Sequence, residues 1–507
     1  MRRIQLAVMS VAVSMACIGQ VGPGELRRDA GAGEAADGGS LDGGLDAGAP
    51  DSGEVDAGSS DSSVADAGDV FDAGPRPDSG WFDRDAGWGA GTDVGTFSNG
   101  VWTPGRDSSG NVNAASWATT PVGTWFEVAD SRLDSLDAVV KAAIPGWRDY
   151  GTEGWDGVTN DWNGLTIDAS GNRVWLTAAG GHSGSSNNGI YQFNGFKMAW
   201  GVELLPSDPS AWSASYRGLG AAGGTFSACA ESVAAQQSKQ DAGTWSPIDD
   251  FWFDELFWDH APTSRHTYSA HAFIPASNEL VMSCRGQRLW RYSLTSKRWT
   301  SRRVLEDGAR TYDGAGTYAF YDEVRGEYLH GGATDGVYTS IGYRLSDAQW
   351  IPWGSPWSIY VVADARHGRD VTVMANINST GAYAGQYWRY NLDSRSVTAG
   401  GNGATVQFAG GLSRADFSRE TWYYDGAGLC FVPPLNEYWY WERMATGAMQ
   451  LLKIDPTTTP WSISPKVTTG RVPQPHVNHM RKTVWMPVLN AVMLVDQAGK
   501  NVAFYRF

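Results

Sequence analysis

The sequence predicts an all-β fold, a β-propeller of six blades or seven, preceded by a long non-globular segment. Three observations carry this. A seven-residue step from an aromatic or apolar residue to a Trp recurs along the chain: Tyr292 to Trp299, Tyr343 to Trp350, Ile454 to Trp461. Tyr390 to Val397 keeps the frame without the Trp, and Tyr191 with Trp200 is a looser copy. The frames repeat at about 50 residues, a period that marks propellers and solenoids. Finally, short β-forming runs are separated by turn-rich clusters such as Ala169-Ser170-Gly171-Asn172, Ala276-Ser277-Asn278 and Tyr424-Asp425-Gly426.

Taken in chain order, residues 1–17 come first. Arg2 and Arg3 precede a mostly apolar stretch from Ile4 to Ala16. This is the pattern of an export signal, and it is shorter than the roughly 20 apolar residues a spanning helix needs. Ser14-Met15-Ala16-Cys17 resembles a bacterial lipobox, with Ser14 where Leu is usual. The resemblance implies lipidation at Cys17 and an outer-membrane or cell-surface lipoprotein; a secreted protein is the alternative. Acyl chains on one Cys suffice for stable anchoring.

Residues 18–95 carry Asp-Ala-Gly at Asp29, Asp46, Asp56, Asp66, Asp72 and Asp85, with 17 acidic residues against four Arg and no Lys. Such a stretch cannot bury enough apolar surface to offset chain entropy, and its like charges extend it. It resembles the surface-lipoprotein linkers of myxobacteria. Of the overall charge of −16, this segment holds −13 and the signal +2, which leaves −5 for residues 96–507. That mildly acidic remainder excludes a nucleic-acid partner, which needs clustered positive charge. Cys229, Cys284 and Cys430 allow at most one disulfide. No CxxC or paired Cys/His spacing indicates a metal, and no cofactor is expected.

Residues 122–507 resemble kelch-type propellers, such as the central domain of galactose oxidase. In such blades the second of four strands often ends in Gly-Gly, a Tyr marks the third and a Trp the fourth. Gly180-Gly181 with Tyr191 and Trp200, and Gly331-Gly332 with Tyr343 and Trp350, carry the likeness. The sequence lacks the Tyr-His dipeptide of the galactose oxidase copper site. The last blade, from Thr483 to Phe507, lacks a fourth strand, and Val122 to Val128 is expected to complete it and hide two sheet edges. Residues 205–263 read as an insertion, or as a seventh blade. The marker Trp residues are expected between blades.

In a four-stranded up-and-down blade, the loop between strands two and three emerges on the same face as the link to the next blade. On that face the sequence places His182, Arg265, His266, Tyr438 to Trp441, Arg443, His476 and His479, whereas Arg366 and His367 fall on the opposite face. The run Tyr438, Trp439, Tyr440, Trp441, read as a loop, would expose rings for sugar stacking or protein contact. Arg265, His266 and Tyr268 are the candidate catalytic cluster. An Arg could neutralise a uronate while His or Tyr takes a proton. The expected function is a surface-tethered binding module for a glycan or an extracellular protein, touching a membrane only through its anchor. The alternative is a carbohydrate-active lyase or hydrolase.

Overall fold

A computed structural model describes residues 87–149, 153–160, 162–168, 170–180, 185–208, 261–262, 264–283, 288–303, 318–334, 337–351, 363–374, 385–417, 428–476 and 480–507. The signal and lipidation site at Cys17, the linker ahead of residue 87, His182, His479 and most of the 205–263 insertion lie outside the described residues.

The strands in chain order are β1 (Thr96–Ser98), β2 (Val101–Thr103) and β3 (Thr124–Val128). Five contiguous meanders follow. The first is β4 (Thr166–Asp168), β5 (Arg173–Thr177), β6 (Ile190–Asn194) and β7 (Ala199–Leu204). The second is β8 (His271–Ile274), β9 (Glu279–Met282), β10 (Arg288–Ser293) and β11 (Arg298–Arg303). The third is β12 (Tyr318–Asp322), β13 (Glu327–Thr334), β14 (Val337–Arg344) and β15 (Gln349–Ile351). The fourth is β16 (Ala363–His367), β17 (Asp370–Met374), β18 (Gln386–Asn391) and β19 (Ser396–Thr405). A short β20 (Gln407–Phe408) precedes the fifth: β21 (Leu429–Val432), β22 (Glu437–Arg443), β23 (Met449–Asp455) and β24 (Ser462–Pro465). Then come β25 (Thr469–Gly470), β26 (Thr483–Met486), β27 (Ala491–Leu494) and β28 (Ala503–Arg506). Among the described residues these strands form six sheets in a β-propeller arrangement.

The sixth sheet is assembled from both ends of the described chain. β3 pairs antiparallel with β28, Phe126 opposite Phe504, as expected of the segment Val122 to Val128. The sequence did not announce what lies beyond it. β2 pairs parallel with β3, β1 pairs with β2, and β25 pairs parallel with β3. Packing starts ahead of residue 96, since Trp88 stacks on Trp117 and Gly89 bridges Asn113.

Each sheet's first hairpin turns through one left-handed residue: Asn172, Asn278, Gly326, Gly368, Asn436 and Asn490, with φ between 50° and 68°. Asn and Gly tolerate that region best, so the turn chemistry repeats with the blade. The outer hairpins explain the seven-residue step. Tyr292 lies directly opposite Trp299, Tyr343 opposite Trp350, and Tyr390 opposite Val397. Ser293 and Arg298 flank a four-residue turn, which sets the register. In the first meander the step belongs to Phe193 and Trp200, which pair directly, and not to Tyr191, which faces Val202 across a register shift. In the fifth, Ile454 pairs with Ile463, and Trp461 sits just ahead of the strand.

Residues of these outer hairpins pack against the preceding sheet. Phe193 and Trp200 join Met493 and Phe504; Tyr292 and Trp299 join Trp175 and Ile190; Tyr343 joins Ala272 and Leu289. Tyr390 joins Tyr318 and Phe320, and Ile454 and Trp461 join Met374 and Tyr387. A last cluster joins the fifth sheet to the sixth through Trp125, Trp439, Trp441 and Val492. The core is therefore a ring of inter-sheet clusters, and the marker residues Trp125, Trp200, Trp299 and Trp461 are buried in it.

The fifth meander's first hairpin is not Tyr424-Asp425-Gly426, which lies outside the described residues, but Pro433-Pro434-Leu435 with Asn436. Leu429–Val432 is its first strand, and the aromatic run Tyr438 to Trp441 is its second strand, not a loop. Alternation then sends Tyr438 and Tyr440 to the fourth sheet and Trp439 and Trp441 to the sixth, all four buried.

Trp125 is fully buried, with Trp439, Trp441 and Tyr505 within 6.1 Å between ring centroids. Trp125→Ala is expected to cost about 3–5 kcal/mol in urea unfolding. Val122→Ala, at a position 63% exposed, should change stability by less than about 0.5 kcal/mol. Equal effects would contradict closure through β3.

Candidate functional site

The innermost strands β4, β8, β12, β16, β21 and β26 surround a cavity of about 660 Å³ that reaches the first hairpins at Ser170, Pro275, Glu323, Gly368 and Pro433. That volume lies in the range of small-molecule sites. Its walls include Phe273, Tyr321, Phe431 and Trp485, together with His367. His367 stacks on Phe431 with 3.7 Å between ring centroids.

Arg481 crosses the far end of the cavity. It precedes β26 in the left-handed region, φ 45°. Its Nη1 donates to the His271 carbonyl at 3.0 Å, and its Nη2 donates to the Ala319 carbonyl at 3.0 Å. Its Nε donates to Asp364 Oδ2 at 3.0 Å, and Nη2 reaches the same oxygen. One side chain from the sixth sheet thus ties the second, third and fourth. Phe320 packs under the guanidinium, 5.3 Å from its ring centroid.

Beside Arg481, His271 is buried, with Nδ1 hydrogen-bonded to the Thr166 hydroxyl. Burial, and secondarily the Arg481 charge, push the His271 pKa down to about 3. His271 Nε2 and the Thr483 hydroxyl are buried without a hydrogen-bond partner. His330, in the third sheet, is also buried with neither ring nitrogen bonded, and burial takes its pKa down to about 4.

At the mouth, arginines and carboxylates interlock. Arg366 grips both oxygens of Glu323 at 2.6 and 2.5 Å. Arg369 bonds Asp322 at 2.7 Å and Asp393 at 2.9 Å, and Arg325 bonds Asp322 at 3.0 Å. Burial alone would raise the Asp322 carboxyl, but Arg369 and Arg325 outweigh it and hold the group below the usual range. Asp168 is clasped by Arg173 at 3.1 and 2.6 Å.

The residues singled out from sequence sit elsewhere. Arg265, His266 and Tyr268 form the link into the second sheet and do not line this cavity. The Arg265 amide donates to the Ala178 carbonyl, and its guanidinium lies 5.8 Å from the Trp290 ring centroid. His266 meets Trp162 edge-on at 4.6 Å, and the Tyr268 amide donates to the Trp162 carbonyl. All three are at most 4% exposed, so they pack the link instead of facing solvent. The aromatic run is likewise internal. The Tyr438 hydroxyl meets Thr372, Trp439 donates to Glu437 and Tyr440 to Glu442. Burial pushes Tyr438 up to about 12. Arg443 ends that strand half-buried, and His476 is exposed, its amide donating to Asp496. The expectation of exposed rings at Tyr438 to Trp441 is thus overturned by strand alternation. Arg366 and His367, assigned from sequence to the opposite face, do line the cavity.

The class that fold and cavity define is a β-propeller with an axial, ligand-sized pocket open toward its first hairpins. No family model matches the chain, and no curated protein matches it. Among solved structures, the mitotic checkpoint complex contains a chain similar at 10% identity, with 72% of this chain and 92% of that one covered and a TM-score of 0.36. YjhT is similar at 10% identity, covering 68% and 93%, TM-score 0.34. TolB from Acinetobacter baumannii is similar at 10% identity over 60% of this chain and 57% of that one, TM-score 0.32.

Two predictions follow from the site's electrostatics. Asp364 and Arg481 are 2% and 13% exposed at the side chain, so removing one partner strands a buried charge. Asp364→Asn should cost about 3–5 kcal/mol in chemical unfolding, with part recovered in the Asp364→Asn, Arg481→Met double variant. The second concerns pH. Folded His271 and His330 stay uncharged to about 3 and about 4, against 6.5 for an unperturbed imidazole. As pH falls below 6.5 the unfolded chain takes up protons that the fold refuses, so stability drops toward pH 4 and is flat above 6.5. Urea titrations should show a loss of roughly 3 kcal/mol or more across that window. His330→Leu should flatten part of the slope; an unchanged slope would contradict the assignment.

Proposed function

We propose that this chain is a surface-tethered β-propeller binding module. It takes the tip of a glycan or of an extracellular protein into the axial cavity from the first-hairpin side. The observation that carries the reading is the cavity itself: ligand-sized, walled by aromatic rings, and bounded by the innermost strands of all six sheets. Aromatic walls offer apolar area with a polar handle, which serves sugars and protein side chains alike. The tether is the acidic segment 18–95 behind Cys17. Cys17→Ser should move the chain from the membrane to the soluble fraction, and retention there would remove the anchor from the account.

The test is a screen of the full chain against a glycan array and against extracellular protein from its own cells, with every hit assayed for product. We expect binding without turnover. Phe431→Ala and Trp485→Ala should each weaken it by about fivefold or more. Binding indifferent to both wall variants would overturn the cavity as the site. Turnover of any hit would establish a lyase or hydrolase in place of a binding module.

A further inference from the structure

We propose that the axial cavity accepts an uncharged apolar side chain borne on a loop of an extracellular protein, while the hairpin tips around its mouth rest on the partner's surface. This rests on the cavity being the ligand site and takes the protein arm of that reading. The first argument is the wall. In each innermost strand one residue stands in the second pair from the first hairpin's turn. These are Ile167, Phe273, Tyr321, Arg366, Phe431 and Trp485. All six line the cavity, so the repeat turns one strand position into a collar. Five of its members are aliphatic or aromatic. Arg366 is the exception, and each of its guanidinium nitrogens is bonded within the protein. Nε donates to the Gly368 carbonyl at 2.9 Å, Nη1 to the Tyr321 carbonyl at 2.7 Å, and Nη2 to Glu323. His367, stacked on Phe431, adds a further ring face.

The second argument is what the wall withholds. The Ser170 hydroxyl donates to Asp168, and Arg366 grips both oxygens of Glu323. His271 Nε2, Thr483 Oγ1 and both Nη atoms of Arg369 have no hydrogen bond, but all four are buried atoms closed to solvent. Arg369 Nη2 also lies 2.7 Å from Asp322 Oδ1. None of them is presented to a ligand. A sugar would shed water from its hydroxyls and regain few hydrogen bonds, which costs affinity for each group left unpaired. A charged tip would meet charges already matched, Arg481 by Asp364 and Arg366 by Glu323. An apolar side chain gives up no hydrogen bond and gains the burial. The third argument is the rim. Val324, Leu435 and Val488, in the first hairpins of the third, fifth and sixth sheets, are 69%, 42% and 40% exposed. The cavity reaches the neighbours of the first two, Glu323 and Pro433. A small molecule inside the cavity leaves these tips in water, whereas a protein that inserts a side chain lays its surface over them. A pocketed apolar anchor ringed by contacts that exclude water is the anatomy of a protein–protein hot spot.

The test titrates the full chain calorimetrically with N-acetyl-tryptophanamide and N-acetyl-leucinamide as probes, and with methyl glucoside, methyl galactoside and glucuronate. At least one amide should bind at least about tenfold more tightly than any of the sugars, and about fivefold or more weaker in Phe431→Ala and Trp485→Ala. A triple variant, Val324→Ser with Leu435→Ser and Val488→Ser, changes exposed tips and should leave the unfolding midpoint in place. It should keep amide binding within about twofold, yet weaken a protein hit of the screen by about tenfold or more. Failure of both amides to bind would overturn the proposal. A sugar bound as tightly as either amide, and dependent on the walls, would overturn it too, yet leave the cavity as the binding site. So would a protein hit indifferent to the triple variant while the amides bind, the result expected if the cavity serves a free apolar molecule. Binding of amides and screen hits alike that ignores both wall variants would overturn both readings.

Discussion

The guanidinium of Arg481 fixes the centre of this molecule. It leaves the loop ahead of the sixth sheet and is bonded to the backbone of the second and third sheets and to a carboxylate of the fourth. Three elements distant in sequence are held at one point, in a setting where the ion pair with Asp364 is shielded from water. A buried pair of this kind is weak evidence for added stability but strong evidence for a fixed geometry, because neither partner can be lost alone. Its placement gives the axial cavity a floor at one end and leaves the first-hairpin side as the mouth.

Around that axis the packing follows one rule. Each sheet presents at least one aromatic or aliphatic residue from its outer hairpin to the sheet before it, and the clusters so formed close into a ring. The ring closes because β3 and β28 pair, which removes two sheet edges that would otherwise invite association. On the hairpin side a lattice of arginines and carboxylates joins the third and fourth sheets, with Asp322 held by Arg369 and Arg325. Rigid walls follow from this arrangement, and rigidity favours binding by limiting the ordering that a ligand must impose.

Much of the fold was legible because its information is local. A four-residue turn pins the outer hairpin, so a seven-residue spacing shows directly in the sequence, as at Tyr292 and Trp299. The frame slipped in the fifth meander because Tyr424-Asp425-Gly426 carries the same turn composition as the true hairpins. A usable signal was present. Pro433-Pro434-Leu435-Asn436 recurs as Pro487-Val488-Leu489-Asn490, and both make a 3-10 turn ended by a left-handed Asn. That recurrence aligns LCFV with TVWM and makes Tyr438 to Trp441 a strand. The site was far less legible. Arg481 bonds residues 117, 162 and 210 positions away, and no local pattern announces such contacts. Sorting loops by face set Arg366 and His367 apart from the face where a ligand was expected, yet both line the cavity, while exposed-looking aromatics and a compact Arg-His-Tyr cluster drew attention to residues that the fold buries.

The measurement that tests the account most directly is a crystal structure of the full chain with whichever ligand the binding screen yields. The account predicts ligand density inside the axial cavity, between Phe431 and Trp485. Density on the opposite face, around the links that carry Arg265 and His476, with the cavity empty, would contradict it.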